Sequence, residues 1–98
     1  MNIQKIVNAN CTVVQIIGRL DTTTSPELEA ALEACIAKTA DLVLDCAELA
    51  YISSAGLRVL LKAQKSMAAK GSMKLTNVNE SIMEVFDITG FIDILTIE

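Results

Sequence analysis

The amino-acid sequence predicts an α/β fold: a single domain over residues 1–98, with a mixed, mostly parallel sheet of about five strands and helices packed against it. Three observations carry this. Short apolar, β-branched runs alternate with longer segments of helical periodicity, an order that calls for crossover connections and therefore parallel strands. Two such runs stand next to each other at the start, separated only by Asn8-Ala9-Asn10, which places one antiparallel hairpin at the edge. Hydrophobic residues make up 52% of the 98, enough for one core and too many for a disordered chain.

The first strand is Ile3 to Val7 and the second Cys11 to Ile17, where Thr12-Val13-Val14 and Ile16-Ile17 favour a sheet interior. Gly18-Arg19-Leu20-Asp21 ends the second strand, and Thr22 to Pro26 connects to a helix. Two N-terminal phases compete there: Ser25 as cap with Pro26 in the first turn, or Thr24 paired with Glu27 as a capping box. Leu28, Leu32, Cys35 and Ile36 form the apolar stripe of that helix. Leu42-Val43-Leu44, a fully apolar run between Asp41 and Asp45, reads as a buried strand.

Ser53-Ser54-Ala55-Gly56 opens a longer helix with Leu57, Leu60, Leu61, Gln64, Met67 and Ala68 inward, and Gly71 as its C-terminal cap. Met73 to Thr76 is another strand. Asn79-Glu80-Ser81 begins a short helix carrying Ile82, Met83, Val85 and Phe86, broken at Thr89-Gly90, and Phe91 to Ile97 reads as a final edge strand.

Composition narrows the function. Eight Lys and Arg against 12 Asp and Glu, a net charge of −4, argue against nucleic acid as the main partner. With no histidine there is no Ser-His-Asp or Cys-His arrangement, and no glycine-rich nucleotide loop is present. Cys11, Cys35 and Cys46 lie in apolar runs without a C-x-x-C pair and read as reduced core residues. No run reaches the ~20 apolar residues of a membrane span, and the first residues lack a signal-peptide layout. A cytoplasmic, soluble domain without metal or cofactor is expected, and a monomer is the default at this size.

Asp45, at the end of a central strand, raises a phosphoacceptor-aspartate reading, but the acidic pair and the lysine such a pocket needs are replaced by Asn8-Ala9-Asn10 and Thr76-Asn77-Val78. The remaining candidate is Tyr51 to Leu57, a strand-to-helix turn in which Ser53 or Ser54 either caps the helix or presents a modifiable hydroxyl, and Gly56 hints at a close approach.

Here the chain resembles a STAS domain, of the small stand-alone anti-sigma factor antagonist kind. The resemblance runs through Gly18-Arg19-Leu20-Asp21, Leu42-Val43-Leu44-Asp45, Ile52 to Leu60, and Phe86 to Phe91. It implies a non-enzymatic binding module that holds an anti-sigma factor serine kinase when unphosphorylated and releases it when phosphorylated, with a metal-dependent serine/threonine phosphatase resetting the switch. Aligned on Gly56-Leu57, the phosphoserine falls on Ser54, with Ser53 as its rival because this chain has a second hydroxyl where many members carry Asp. Asp21, Ser53, Ala55, Gly56 and Arg58 are the implied partner contacts. A different role known for STAS-like chains, a subunit on the cytoplasmic face of a lipid-trafficking transporter, is the alternative.

Overall fold

The structure, a computed structural model, describes every residue from Met1 to Glu98. In chain order it holds β1 (Asn2–Asn8), β2 (Cys11–Leu20), α1 (Ser25–Ile36), β3 (Asp41–Asp45), β4 (Leu49–Ile52), α2 (Ser54–Ala68), β5 (Ser72–Thr76), α3 (Glu80–Thr89) and a 3-10 turn, Phe91–Asp93. The main sheet runs β1-β2-β3-β5, with β1 antiparallel to β2 and the other pairings parallel.

Register explains the layering. Thr12, Leu42 and Met73 form one cross-strand row and Val14, Leu44 and Leu75 the next, and all six are buried. The alternate row, Val13, Val43 and Lys74, is half-exposed. Leu42-Val43-Leu44 is therefore covered on one face only, because both long helices pack on the side that Leu42 and Leu44 occupy and none crosses Val43.

Three elements differ from the sequence expectation. The second strand does not stop at Ile17. It runs to Leu20 through an irregularity at Gly18-Arg19, where Gly18 has φ +108° and its N–H donates to the Glu48 carbonyl at 2.9 Å. The freed end of β2 pairs in parallel with β4, a strand too short, and too irregular in its burial, to show a period of two. Since β3 and β4 both run parallel to β2, the chain does not reverse at Cys46-Ala47-Glu48; it steps sideways and continues forward.

The final edge strand is also absent. Gly90 takes φ +81° after α3, and the N–H groups of Asp93, Ile94 and Leu95 bond back to Gly90 and Phe91, winding a turn instead of an extended segment. The chain meets the sheet again only at its last residues, in a single bridge of Ile97 to Leu75, where the Leu75 N–H donates to the Thr96 carbonyl and its carbonyl accepts from the Glu98 N–H, each at 2.9 Å.

The buried face of α2 is Gly56, Leu57, Val59, Leu60, Ala63 and Met67, so the stripe is rotated toward Val59 and Ala63, and Ala68 lies outside. On α1 the expected stripe holds, with Leu28, Leu32 and Cys35 buried and Ile36 half-buried. Lys62 of α2 ties the two helices at the surface, reaching Glu29 at 2.9 Å and Glu33 at 3.1 Å.

Candidate functional site

The parallel pairing of β2 with β4 assembles the site. Leu20 stands opposite Ile52, and the Ser53 N–H donates to the Leu20 carbonyl at 2.9 Å, which brings the Asp21 loop beside the start of α2. Gly56 allows this approach: a Cβ there would lie 2.7 Å from Leu20 Cγ and 2.9 Å from Ile52 Cγ1. The first helical turn is thereby seated directly on the ends of both strands.

The two serines do different work. Ser53 is half-buried, extended at φ −100°, ψ 176°, and caps α2 by accepting from the Gly56 N–H at 3.4 Å. Its carbonyl accepts from the Leu57 N–H at 2.9 Å. Ser54, the first helical residue, is exposed. At a helix start the leading N–H groups have no partner within the helix, and α2 carries no acidic residue in its first turn to neutralise them.

Asp21 is held by its own loop. Its Oδ1 accepts from the Thr23 and Thr24 N–H groups, each at 3.0 Å. These bonds, led by the Thr24 N–H, hold the carboxyl below its ordinary 3.8. The Arg19 guanidinium lies 4.0 Å from Oδ2 and sits 4.1 Å from the centre of the Tyr51 ring. Thr24 is the residue at which α1 begins, yet its hydroxyl donates to the Arg19 carbonyl at 2.7 Å instead of closing a capping box with Glu27. Ser25 follows inside the helix, donating from Oγ to the Asp21 carbonyl at 2.5 Å.

Ala55 is half-buried and Arg58 exposed, and both line a shallow groove of about 340 Å³ between the starts of α1 and α2, with Thr22, Ser25 and Pro26 on its far wall. All six candidate residues therefore stand at one end of the molecule. Arg19 and Tyr51 belong to the same surface; both stood in the segments singled out above but were not among the expected contacts, because what joins them is the unrecognised β2–β4 pairing.

Elsewhere the chemistry is quiet. Burial pushes the Cys46 thiol up to about 12, so it is not a nucleophile. Asp45 accepts from the Asn77 side-chain amide at 3.1 Å and the Ala47 N–H at 3.0 Å, which lower its pKa in that order of importance. Where a phosphoacceptor pocket would bring up a lysine, this chain brings up Asn77.

Asp21 and Asp45 both contribute to acid sensitivity. Each has a folded pKa below its unfolded one, so each contributes stability that is present above 3.8 and lost as pH falls through the lower folded value. With no histidine to titrate, the melting temperature should change little from about pH 7 down to about pH 5 and fall below about pH 4. Asp21→Asn with Asp45→Asn should make that acid limb shallower in a series of thermal melts.

Known proteins share the sequence pattern and the fold. The STAS domain model matches residues 2–98. The anti-sigma-B factor antagonist of Bacillus subtilis (strain 168) is 34% identical over 98 residues, covering 99% of this chain and 90% of that protein. Among solved structures, an anti-sigma factor antagonist from Mycobacterium paratuberculosis superposes with a TM-score of 0.89 at 21% identity, over 98% of this chain and 83% of that one. The anti-sigma factor antagonist SpoIIAA, solved in its unphosphorylated form, gives 0.82 at 19% identity, over 99% of this chain and 88% of that one. Its phosphorylated form gives 0.76 at 19% identity, over 99% of this chain and 91% of that one. No helix is long and apolar enough to cross a bilayer. With a family match over nearly its full length, this chain belongs to the STAS domain family.

Proposed function

We propose that the chain is a partner-switching module: unphosphorylated, it binds a serine-kinase anti-sigma factor through the α2 start, and phosphorylation on Ser54 releases it. A serine/threonine phosphatase restores the binding form. The observation that carries the site assignment is the division of labour between the serines. The Ser53 hydroxyl is spent on the Gly56 N–H, whereas Ser54 is exposed at the first helical position and its hydroxyl makes no hydrogen bond within the chain.

A kinase needs a hydroxyl that can be presented without dismantling the fold, and Ser54 meets that condition better than Ser53. Asp21, Ala55, Gly56 and Arg58 surround it as a contact surface, in which Gly56 contributes by seating the turn rather than by exposure. The relatives named as anti-sigma-B factor antagonists, and SpoIIAA known in phosphorylated and unphosphorylated forms, support the same reading.

Tandem mass spectrometry of the protein isolated from its own cells tests the assignment. A gain of about 80 Da localised to Ser54 is the expected result. The same gain on Ser53 moves the site and removes the capping argument. A uniformly unmodified protein held in a transporter complex overturns the switch in favour of the structural-subunit reading.

A further inference from the structure

α2 carries three cations, Arg58, Lys62 and Lys65, and no carboxylate. Two of the three are accounted for. Lys62 is committed across the helix pair to Glu29 and Glu33, and Lys65 stands in the last turn, at the far end from Ser54. Arg58 is exposed and makes no ion pair, although it stands one turn from a helix start, where positive charge is disfavoured.

The other charged groups around the start of α2 are engaged. Asp21 accepts from the Thr23 and Thr24 N–H groups. Arg19 lies 4.0 Å from that carboxylate and 4.1 Å from the centre of the Tyr51 ring. Glu29, the carboxylate that shares the groove wall with Arg58, is the one held by Lys62 at 2.9 Å. Arg58 is therefore the uncommitted charge of this surface.

Its spacing from Ser54 is that of a neighbour. Residues four apart on a helix share a face, with Cβ atoms about 6 Å apart. Helical side chains lean toward the N-terminus, so the long Arg58 side chain covers the turn that Ser54 begins. An anion four residues before a cation is the more favourable order of such a pair. A guanidinium fork also matches two oxygens of a phosphate.

We propose that Arg58 is the internal counter-ion of phosphorylated Ser54. This rests on Ser54 as the modified residue and adds what the phosphate does within its own chain. In the unmodified protein Arg58 is a free cation on the groove it shares with Thr22, Pro26 and Ala55. Once Ser54 carries a phosphate, the guanidinium turns back onto it and leaves that groove. Phosphorylation then alters the contact surface twice, by adding a dianion and by occupying the cation beside it.

The test uses the full chain with phosphoserine installed at position 54 during synthesis, so no kinase is involved. Phosphorus-31 spectra recorded across pH read the second ionisation of the phosphate, ordinarily near 6. Arg58→Gln should raise that midpoint by about 0.5 pH unit, a threefold change in proton affinity, and Arg58→Lys should recover part of it. Arg19→Gln, which removes the nearest rival cation, should move it by less than about 0.2 pH unit. In nitrogen-15 spectra the Arg58 Nε–H signal should shift between the unmodified and phosphorylated chains.

An unmoved midpoint in Arg58→Gln, or an equal rise in Arg19→Gln, would overturn the proposal. It fails separately from the site assignment: this titration is made at position 54 whichever serine a kinase prefers, and mapping the native phosphate does not involve Arg58.

Discussion

Full phosphorylation of Ser54 should weaken binding to the kinase-type partner by about 100-fold, and Ser54→Asp should reproduce much of that loss. Ser54→Ala should bind within about threefold of the unmodified chain. The physics is that of a dianion brought to a closed interface. On the free protein the phosphate is well tolerated, because it stands at the start of α2 among unpaired N–H groups and the positive end of the helix dipole. In a contact made for a hydroxyl beside Ala55, the same group must shed its water without gaining full compensation. About 3 kcal/mol of uncompensated desolvation is enough for the stated factor. Titration calorimetry with the purified partner measures the affinity, and thermal melts of the same samples should differ by no more than about 2 °C. Unchanged affinity for Ser54→Asp, with loss of binding for Ser54→Ala, would reject charge as the cause.

Gly71→Ala should be the most damaging single methyl in the protein, costing about 3 kcal/mol and lowering the melting temperature by about 15 °C. A Cβ on Gly71 would lie 1.7 Å from the Ala40 carbonyl oxygen and 2.8 Å from its carbon. Both are backbone atoms, and that carbonyl is engaged by the Ser72 N–H at 3.0 Å, the entry to β5. The methyl therefore cannot be accommodated by turning a side chain; β3 and β5 must separate where they begin. Gly90→Ala is the informative comparison. A Cβ at Gly90 meets nothing within 4 Å, so only its positive φ is penalised, about 1 kcal/mol. Denaturant melts of the two variants should rank them in that order. A reversal would mean that the α3 turn, not the β3–β5 entry, is the more constrained point.

The same two glycines show what a sequence can and cannot reveal. Gly71 was expected at the C-terminus of α2, and its N–H does close that end on the Met67 carbonyl at 2.7 Å. Its φ is not positive, however, and the reason for glycine is the carbonyl of Ala40, thirty-one positions earlier, which no local pattern contains. Elements with a strong period were legible: the α1 stripe and the hairpin pairing both emerge from residue spacing. β4 was not, because four residues are stabilised by pairing with β2 and carry little pattern of their own. The apolar run Phe91 to Ile97 misled for the opposite reason. Its composition suits a strand, but the turn at Gly90 commits it to a helical path.

At the site, the candidate residues could be gathered by resemblance, and Gly56 suggested a close approach by itself. The choice between neighbouring serines needed the backbone. Only the extended conformation of Ser53 and its bond to Gly56 show which hydroxyl is engaged and which is presented.

The contact of Arg19 with Tyr51 has a practical side. Tyr51 is the single tyrosine and the chain contains no tryptophan, so its intrinsic emission arises almost wholly from one ring. That ring lies on the strand leading into Ser53, 40% exposed, with a guanidinium over its face. The protein thus carries a built-in optical reporter at the edge of the proposed contact surface. A tyrosine-free, tryptophan-free peptide docking beside α2 can be followed by emission alone, with no dye attached.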